Sequence, residues 1–501
     1  MRYRSTRSST GVTVSSAEVI ARGIAPDGGL YVPVDIPRLS EPALRELVNA
    51  DYSQRAFEIL RPFFDEFSAE ALLASIAAAY GSNRFACQVV APLTVLSQSE
   101  AILELWHGPT AAFKDMALQL LPHIMLEALR LAGVDRRILI LVATSGDTGK
   151  AALEGFRDVP GIRVTVFYPS EGVSDIQRLQ MVTQQGDNVN VFGVHGDFDD
   201  AQTGVKRVFG DADFNNRLAS AGWALSSANS INWGRLAPQI VYYISAYCDA
   251  VACGAIEFGD KVNFVVPSGN FGNILAAYYA MRMGLPVNRL VCASNKNNVL
   301  ADFFNTGTYD RRRTLHRTTS PAMDILVSSN LERLLFEVSD RDQSTVRQLM
   351  SDLQSTGHYS VGAALLSRLQ SAFWGGWCDE PGVMQTIRDV WSDHRYVLDP
   401  HTAVGQAVYK QYLASTGDGT FTIVVSTASP FKFPDTVVRA IAGDSAVGAT
   451  EGLETIAALE RLTGVVAPKP ISELGSLAVR HPETVDVSEI PRAVASTVDL
   501  A

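Results

Sequence analysis

Short apolar runs alternate with stretches whose apolar positions recur every three to four residues. The runs are AILEL (101–105), RILILVA (137–143), RVTVFY (163–168), NVNVFGV (188–194), VNFVVP (262–267), RLVCAS (289–294) and FTIVVS (421–426), each followed by a cluster of Gly, Ser, Thr or Asn. Continuous apolar strands separated by helices predict an α/β fold with parallel sheets buried on both faces. In such folds ligands sit where strand C-termini meet helix N-termini. Upstream, residues 51–80 carry helical spacing that stops at a Gly81-Ser82-Asn83 break, which predicts a mainly helical N-terminal domain over 1–95. A large lobe over 96–136 plus 236–501 and a smaller, mobile lobe over 137–235 complete the expected organisation. The length of 501 residues fits about three domains.

One lysine sits where a charge does not belong. Thr110 to Leu131 reads as a single helix, with Phe113, Met116, Ala117, Leu120, Leu121, Ile124, Met125 and Ala128 on its apolar side. Asp115, Gln119, His123, Glu127 and Arg130 fall on a polar stripe, whereas Lys114 aligns with Leu118, Leu121 and Met125. A snorkelling lysine is the ordinary explanation. Against it, a cation in a first helical turn opposes the macrodipole, and the Gly-Pro turn of HGPT precedes this one. A desolvated lysine loses its proton more readily and becomes a nucleophile suited to Schiff-base chemistry. Asp115 reads as an ordinary acid near a helix start.

Three strand-to-helix loops add chemistry. VPSGNFGN, with Gly269 and Gly272, can curl backbone N–H groups into an anion nest. ATSGDTGKAA fails the nucleotide-binding P-loop pattern, because Thr144 stands where its first glycine should be and Ala151 follows Lys150. Its Thr144, Ser145, Asp147 and Thr148 suit a carboxylate ligand instead. SSANSINWGRL offers Ser227, Asn229, Ser230, Asn232 and Arg235, a set that suits an oxyanion such as phosphate. In STASPFKFP the Thr427 hydroxyl stands at a strand end.

The net charge of −11 argues against a general polyanion binder, so any anionic ligand must be held by local donors. The five cysteines are scattered without metal-type spacing, which points to a reducing compartment and no structural zinc. The most apolar stretch, 241–256, is interrupted by Asp249, so no membrane span is expected. Arg2, Arg4 and Arg7 with no acid before Glu18 match a transit peptide in composition, yet the β-branched GVTV disfavours an amphipathic helix. The expectation is a cytoplasmic protein with a small-molecule substrate, without nucleic acid, membrane or obligatory protein partner.

HGPTAAFKD, TSGDTG, SANSIN, PSGNFGN, SPAMDI, DPHTAVG and STASPFKF, in this order, with YRSTR and GIAPDGGLYVP near the start, resemble the threonine synthase family of pyridoxal-phosphate enzymes with the tryptophan synthase β-subunit fold. The resemblance spans nearly the whole chain. It implies pyridoxal 5'-phosphate joined to Lys114, with Ser268, Gly269, Asn270, Phe271, Gly272 and Asn273 at the cofactor phosphate, Thr427 at the pyridine nitrogen and Asp147 near the 3'-oxygen. It further implies Thr144, Ser145 and Thr148 at the substrate carboxylate, and Asn229, Ser230, Asn232 and Arg235 at the substrate phosphate. Ser429 and Lys150 depart from the family pattern beside these sites. The implied reaction is conversion of O-phospho-L-homoserine and water to L-threonine and phosphate. A phospho-lyase or hydroxyamino-acid dehydratase of the same fold, yielding a 2-oxo acid, is the alternative.

Overall fold

The structure, a computed structural model, describes residues 1–81, 84–170, 173–446, 452–498 and 500; Ser82 and Asn83 of the expected break lie outside the described residues. Each of the seven apolar runs is a strand. A six-stranded sheet has the order Phe373–Trp377, Val287–Ser294, Val262–Pro267, Thr422–Ser426, Glu100–Glu104, Leu93–Ser97. Only the last of these runs antiparallel to its neighbour. The central strands Val262–Pro267 and Thr422–Ser426 are buried at every position, as helices on both faces require.

A five-stranded parallel sheet has the order Thr484–Asp486, Val189–His195, Ile162–Pro169, Arg137–Ala143, Trp223–Ser226. Its edge strand comes from the far C-terminus, so the assignment of all of 236–501 to the large lobe is corrected at this point. Helix Ile490–Thr497 likewise packs on helix Phe198–Gly210 of this sheet. The sequence signal is weak because Thr484–Asp486 is three residues long and mostly exposed.

The N-terminal domain holds helices Ser16–Arg22, Glu41–Leu47, Tyr52–Leu60 and Ala69–Tyr80, two of them started by capping boxes at Ser15 and Asp51. It also contains an antiparallel sheet in which Arg2–Ser5 lies between Val14–Ser15 and Tyr31–Pro33. Leu93–Ser97 belongs to the six-stranded sheet, so this domain ends before residue 93. Among the described residues, no helix is long and apolar enough to cross a membrane.

The single helix expected over Thr110–Leu131 is two helices, Asp115–Leu118 and Leu121–Leu131. Pro122 has no N–H to give to the Leu118 carbonyl, so the ladder breaks there. Residues 111–113 instead lie along the end of strand Thr422–Ser426. Ala112 bridges Ala428, the Phe113 N–H donates to the Thr427 carbonyl at 2.8 Å, and the Ser429 N–H donates to the Ala111 carbonyl at 3.0 Å.

The freed Leu118 carbonyl faces Gly155 in helix Asp147–Gly155, where an added Cβ would lie 2.1 Å from that oxygen. This close approach sets the distance between the helix that carries Asp147 and the segment that carries Lys114. Gly155→Ala is therefore expected to destabilise the protein by about 1–3 kcal/mol through overpacking, read as a lower denaturant midpoint at unchanged slope. A midpoint equal to that of the parent would refute the close contact.

Candidate active site

Lys114 is the residue immediately before helix Asp115–Leu118, not a member of a long helix face. Its amine is hidden all the same, with 11% of the side chain exposed, because the pairing of Ala112 with Ala428 turns the segment inward. The polar stripe is corrected as well. Asp115 is fully buried and accepts from the Thr110 N–H at 2.8 Å, the Thr110 hydroxyl at 2.9 Å and the Gln119 amide at 3.3 Å. Burial pushes its carboxyl up to about 6. It is a structural clasp for the turn that presents Lys114.

Lys114 Nζ lies 3.7 Å from one oxygen of Asp147, and Lys432 Nζ lies 2.9 Å from the other. The Gln177 amide donates to that second oxygen at 2.8 Å. Lys432 is completely buried and also donates to the Thr110 carbonyl and to Gln180 Oε1. Burial lowers the pKa of Lys114; attraction from Asp147 opposes this, and repulsion from Arg235 and Lys432 adds to it. Burial alone would raise Asp147, but Lys432, Lys114 and Gln177 together hold its carboxyl below the usual carboxylate value. The result is an ionised carboxylate clamped mainly by Lys432, beside a lysine amine that loses its proton unusually easily.

The loop after strand Val262–Pro267 has the features of an anion cradle. Phe271 precedes helix Gly272–Met283 with φ of +64° and no side-chain cap, so the first-turn N–H groups stay available. Asn273 Oδ1 accepts from the Tyr242 and Tyr243 hydroxyls at 2.5 and 2.6 Å, which fixes the amide, and its buried Nδ2 has no hydrogen-bond partner. At Gly269 a Cβ would sit 2.8 Å from the Ala322 carbonyl, so only glycine fits. Ser268 is buried beneath the loop and Asn270 is exposed at its rim. The Phe271 ring points into an aromatic cluster with Phe304 and Phe373, so only its backbone faces the cradle.

The other loops divide. Ser145 and Thr148 are half-buried at the start of helix Asp147–Gly155, whose leading residue Gly146 gives no side-chain cap. Thr144 is buried, and its hydroxyl accepts from the Gly146 and Gly149 N–H groups, which ties it to the turn rather than to a ligand. Asn232 is likewise committed to structure, capping helix Trp233–Ala252 through Gly234 and donating to the Ile20 carbonyl. Asn229 is exposed and Ser230 half-buried. Arg235 is buried, donates to the Ala228 carbonyl at 2.6 Å and keeps Nε without a partner, while burial pulls its pKa down to about 10. Of the departing residues, Ser429 caps the turn at Phe431, and Lys150 pairs with Glu154 at 3.3 Å, away from the Asp147 carboxylate.

Lys432, Gln177 and Asn330 were not anticipated. Lys432 carried a readable signal, since it lies between two Phe and two Pro in SPFKFP and shares with Lys114 the mark of a cation in apolar surroundings. Gln177 and Asn330 lie in segments without a distinguishing pattern.

Together, the parallel sheets, the glycine-bounded cradle and the buried lysine define a pyridoxal-phosphate enzyme. Residues 102–352 match the family described as pyridoxal-phosphate dependent enzyme, residues 2–80 match threonine synthase N terminus, and residues 402–472 match threonine synthase, C-terminal. The chain belongs to the threonine synthase family. It is 38% identical over 482 residues to threonine synthase of Pseudomonas aeruginosa, covering 96% of this chain and 98% of that one. To human threonine synthase-like 1 it is 44% identical over 435 residues, covering 85% of this chain but 58% of that protein's length. Solved relatives include yeast threonine synthase, with TM-score 0.88 at 34% identity, and PLP-bound threonine synthase from Brucella melitensis, with TM-score 0.87 at 36% identity; 99% of each chain is covered in both comparisons. The cofactor is pyridoxal 5'-phosphate, and the orphaned Asn273 amide, the uncapped helix start and the deprotonation-prone lysine are the donor set such a group requires.

The shared carboxylate yields two predictions of opposite sign. Asp147→Asn removes the attraction that favours protonated Lys114, so the acid limb of cofactor uptake by the apoprotein should move to lower pH by about one unit. Lys432→Met leaves Asp147 to Lys114 alone, so the same limb should move to higher pH. Stopped-flow absorption across pH measures both, and shifts of the same sign would refute the shared-carboxylate arrangement.

Proposed function

We propose that the protein converts O-phospho-L-homoserine and water to L-threonine and inorganic phosphate. The observation that carries this reading is the buried amine of Lys114 held 3.7 Å from Asp147, within the field of a buried Arg235 whose Nε lacks a partner. The family membership and the near-complete coverage of bacterial threonine synthase support it. The chain's own acidity does not draw in an anionic substrate, so local cations must do so.

Lys114 would hold the cofactor, with Ser268, Gly269, Asn270, the backbone of Phe271, Gly272 and Asn273 around its phosphate, Asp147 near its 3'-oxygen and Thr427 at its ring nitrogen. When bound, that group supplies an aldehyde for amines and a ring that accepts electrons from carbon. A hydroxyl at the ring nitrogen, rather than a carboxylate, leaves the ring free to stay neutral and suits chemistry further along the substrate side chain. Ser145 and Thr148 would take the substrate carboxylate. Arg235 and Ser230, with Asn229 at the rim, would take its phosphate.

Once the substrate amine has displaced it, the Lys114 amine is free to act as general base. It takes the proton from Cα and then one from Cβ, and the Cγ–O bond breaks with phosphate leaving against Arg235. Protons return to Cγ and Cα, and water supplies hydroxyl to Cβ. One amine serving several carbons needs a site with little water, which the 11% exposure of Lys114 and the burial of Asp147, Lys432 and Arg235 are suited to maintain.

Incubation of the purified protein with O-phospho-L-homoserine should release threonine and phosphate in equal amounts; accumulation of a 2-oxo acid with the phosphate would favour the phospho-lyase alternative. Lys114→Ala should lose the visible absorption of the attached cofactor and at least about 10²-fold in turnover. Arg235→Ala should keep the cofactor and raise KM for the phosphorylated substrate; loss of cofactor would move Arg235 to the other phosphate.

A further inference from the structure

Loop 227–232 follows the edge strand Trp223–Ser226 of the five-stranded sheet, yet its fixing contacts come from outside that sheet. Asn232 Nδ2 donates to the Ile20 carbonyl at 3.0 Å, Arg333 donates to the Ile231 carbonyl at 2.6 Å, and Asn330 Nδ2 donates to Ser230 Oγ at 3.2 Å. Arg333 is wholly buried, and burial lowers its pKa to about 10. Its guanidinium also donates to the Tyr31 carbonyl of the N-terminal domain at 2.9 Å and to Asn330 Oδ1 at 2.5 Å. Next to it, Glu332 accepts from Thr6 and Arg7 of the same domain.

Because Arg333 engages the Asn330 oxygen, the orientation of the Asn330 amide is fixed and its nitrogen must point away. That nitrogen bridges two places, Ser230 Oγ and the Asn270 carbonyl at 3.1 Å. The Asn330 backbone N–H reaches the same carbonyl at 3.1 Å, and Ser328 Oγ donates to the Gly269 carbonyl at 2.7 Å. One side chain thus touches both anion loops, and a buried cation anchored on the N-terminal domain sets its direction. The Gly272 position lies open on this side, where a Cβ would come no nearer than 3.4 Å to Asn330 Nδ2 and 3.8 Å to Ser230 and Gln239.

We infer that Asn330, aimed by Arg333, is a positioning residue that fixes the separation of the cofactor-phosphate loop from loop 227–232 and thereby selects amino acids phosphorylated at one chain length. The inference rests on the reading of loop 227–235 as the substrate-phosphate site. It assigns the N-terminal domain a part in specificity, since Tyr31, Thr6 and Arg7 hold the helix start from which Asn330 projects.

The test is Asn330→Asp in the holoenzyme, which keeps an oxygen for Arg333 and removes the donor that spans the loops. KM for O-phospho-L-homoserine and the inhibition constant of inorganic phosphate should both rise about tenfold, as loss of an aligned hydrogen bond near a charged ligand implies. Cofactor content should stay at the parent value, and discrimination against O-phospho-L-serine, one carbon shorter, should narrow. Asn330→Ala should raise the same constants. Unchanged constants in both variants, or loss of cofactor with KM intact, would overturn the assignment. If the parent enzyme turns over no O-phospho-L-homoserine, the proposed reaction fails by itself. The shift that inorganic phosphate causes in the cofactor absorption, compared between parent and Asn330→Asp, then decides the positioning role.

Discussion

Asp147 shared between two lysines is the interaction on which the site depends. A buried carboxylate with one lysine forms a charge pair, and removal of either partner leaves an uncompensated buried charge at a cost of several kcal/mol. A second lysine changes the outcome. Lys432, at 2.9 Å, takes most of the attraction, and Lys114, at 3.7 Å, keeps too little of it to hold its proton firmly against burial and against the Arg235 and Lys432 charges. A nucleophile is obtained without exposing it to water. The short helix Asp115–Leu118 and the turn before it maintain this arrangement, with buried Asp115 fastening Thr110 and Lys432 bonding the Thr110 carbonyl.

Much of this was legible in the chain, and the failures have physical causes. Buried parallel strands announce themselves as unbroken apolar runs, and each run named from the sequence is a strand. Edge strands do not, which is why Phe373–Trp377, Trp223–Ser226 and Thr484–Asp486 carried no comparable signal. Periodicity found Lys114 for a partly mistaken reason. The apolar spacing ran through Pro122, but the backbone did not, and the burial of Lys114 comes from the pairing of Ala112 with Ala428 across more than three hundred residues. Long-range pairing of that kind has no local pattern. The same limit applies to Thr144 and Asn232, whose side chains look like ligand donors in sequence and are engaged by nearby backbone groups in the fold.

The lobes also divide differently from the way the chain does. The five-stranded sheet borrows its edge from residues 484–486, while the loop leaving its other edge is gripped by Ile20, Asn330 and Arg333. Helix Asp147–Gly155, with Ser145 just before it and Thr148 in its first turn, is tied to the Lys114 segment as well, through the Gly155 approach to the Leu118 carbonyl and through the two lysines on Asp147.

Charge gives the same division an energetic meaning. The chain carries a net −11, yet around the Lys114 amine two buried cations, Lys432 and Arg235, face one ionised carboxylate. A local positive excess inside an acidic protein is unfavourable until anions enter, and the repulsion of those two cations toward a protonated Lys114 is part of what lowers its pKa. A ligand bearing a carboxylate at one end and a phosphate at the other supplies negative charge to both sides of that excess. On the proposed assignment of the two loops, electrostatic relief and the inferred Asn330 spacing favour the same ligand, one with two anionic groups held a fixed number of carbons apart.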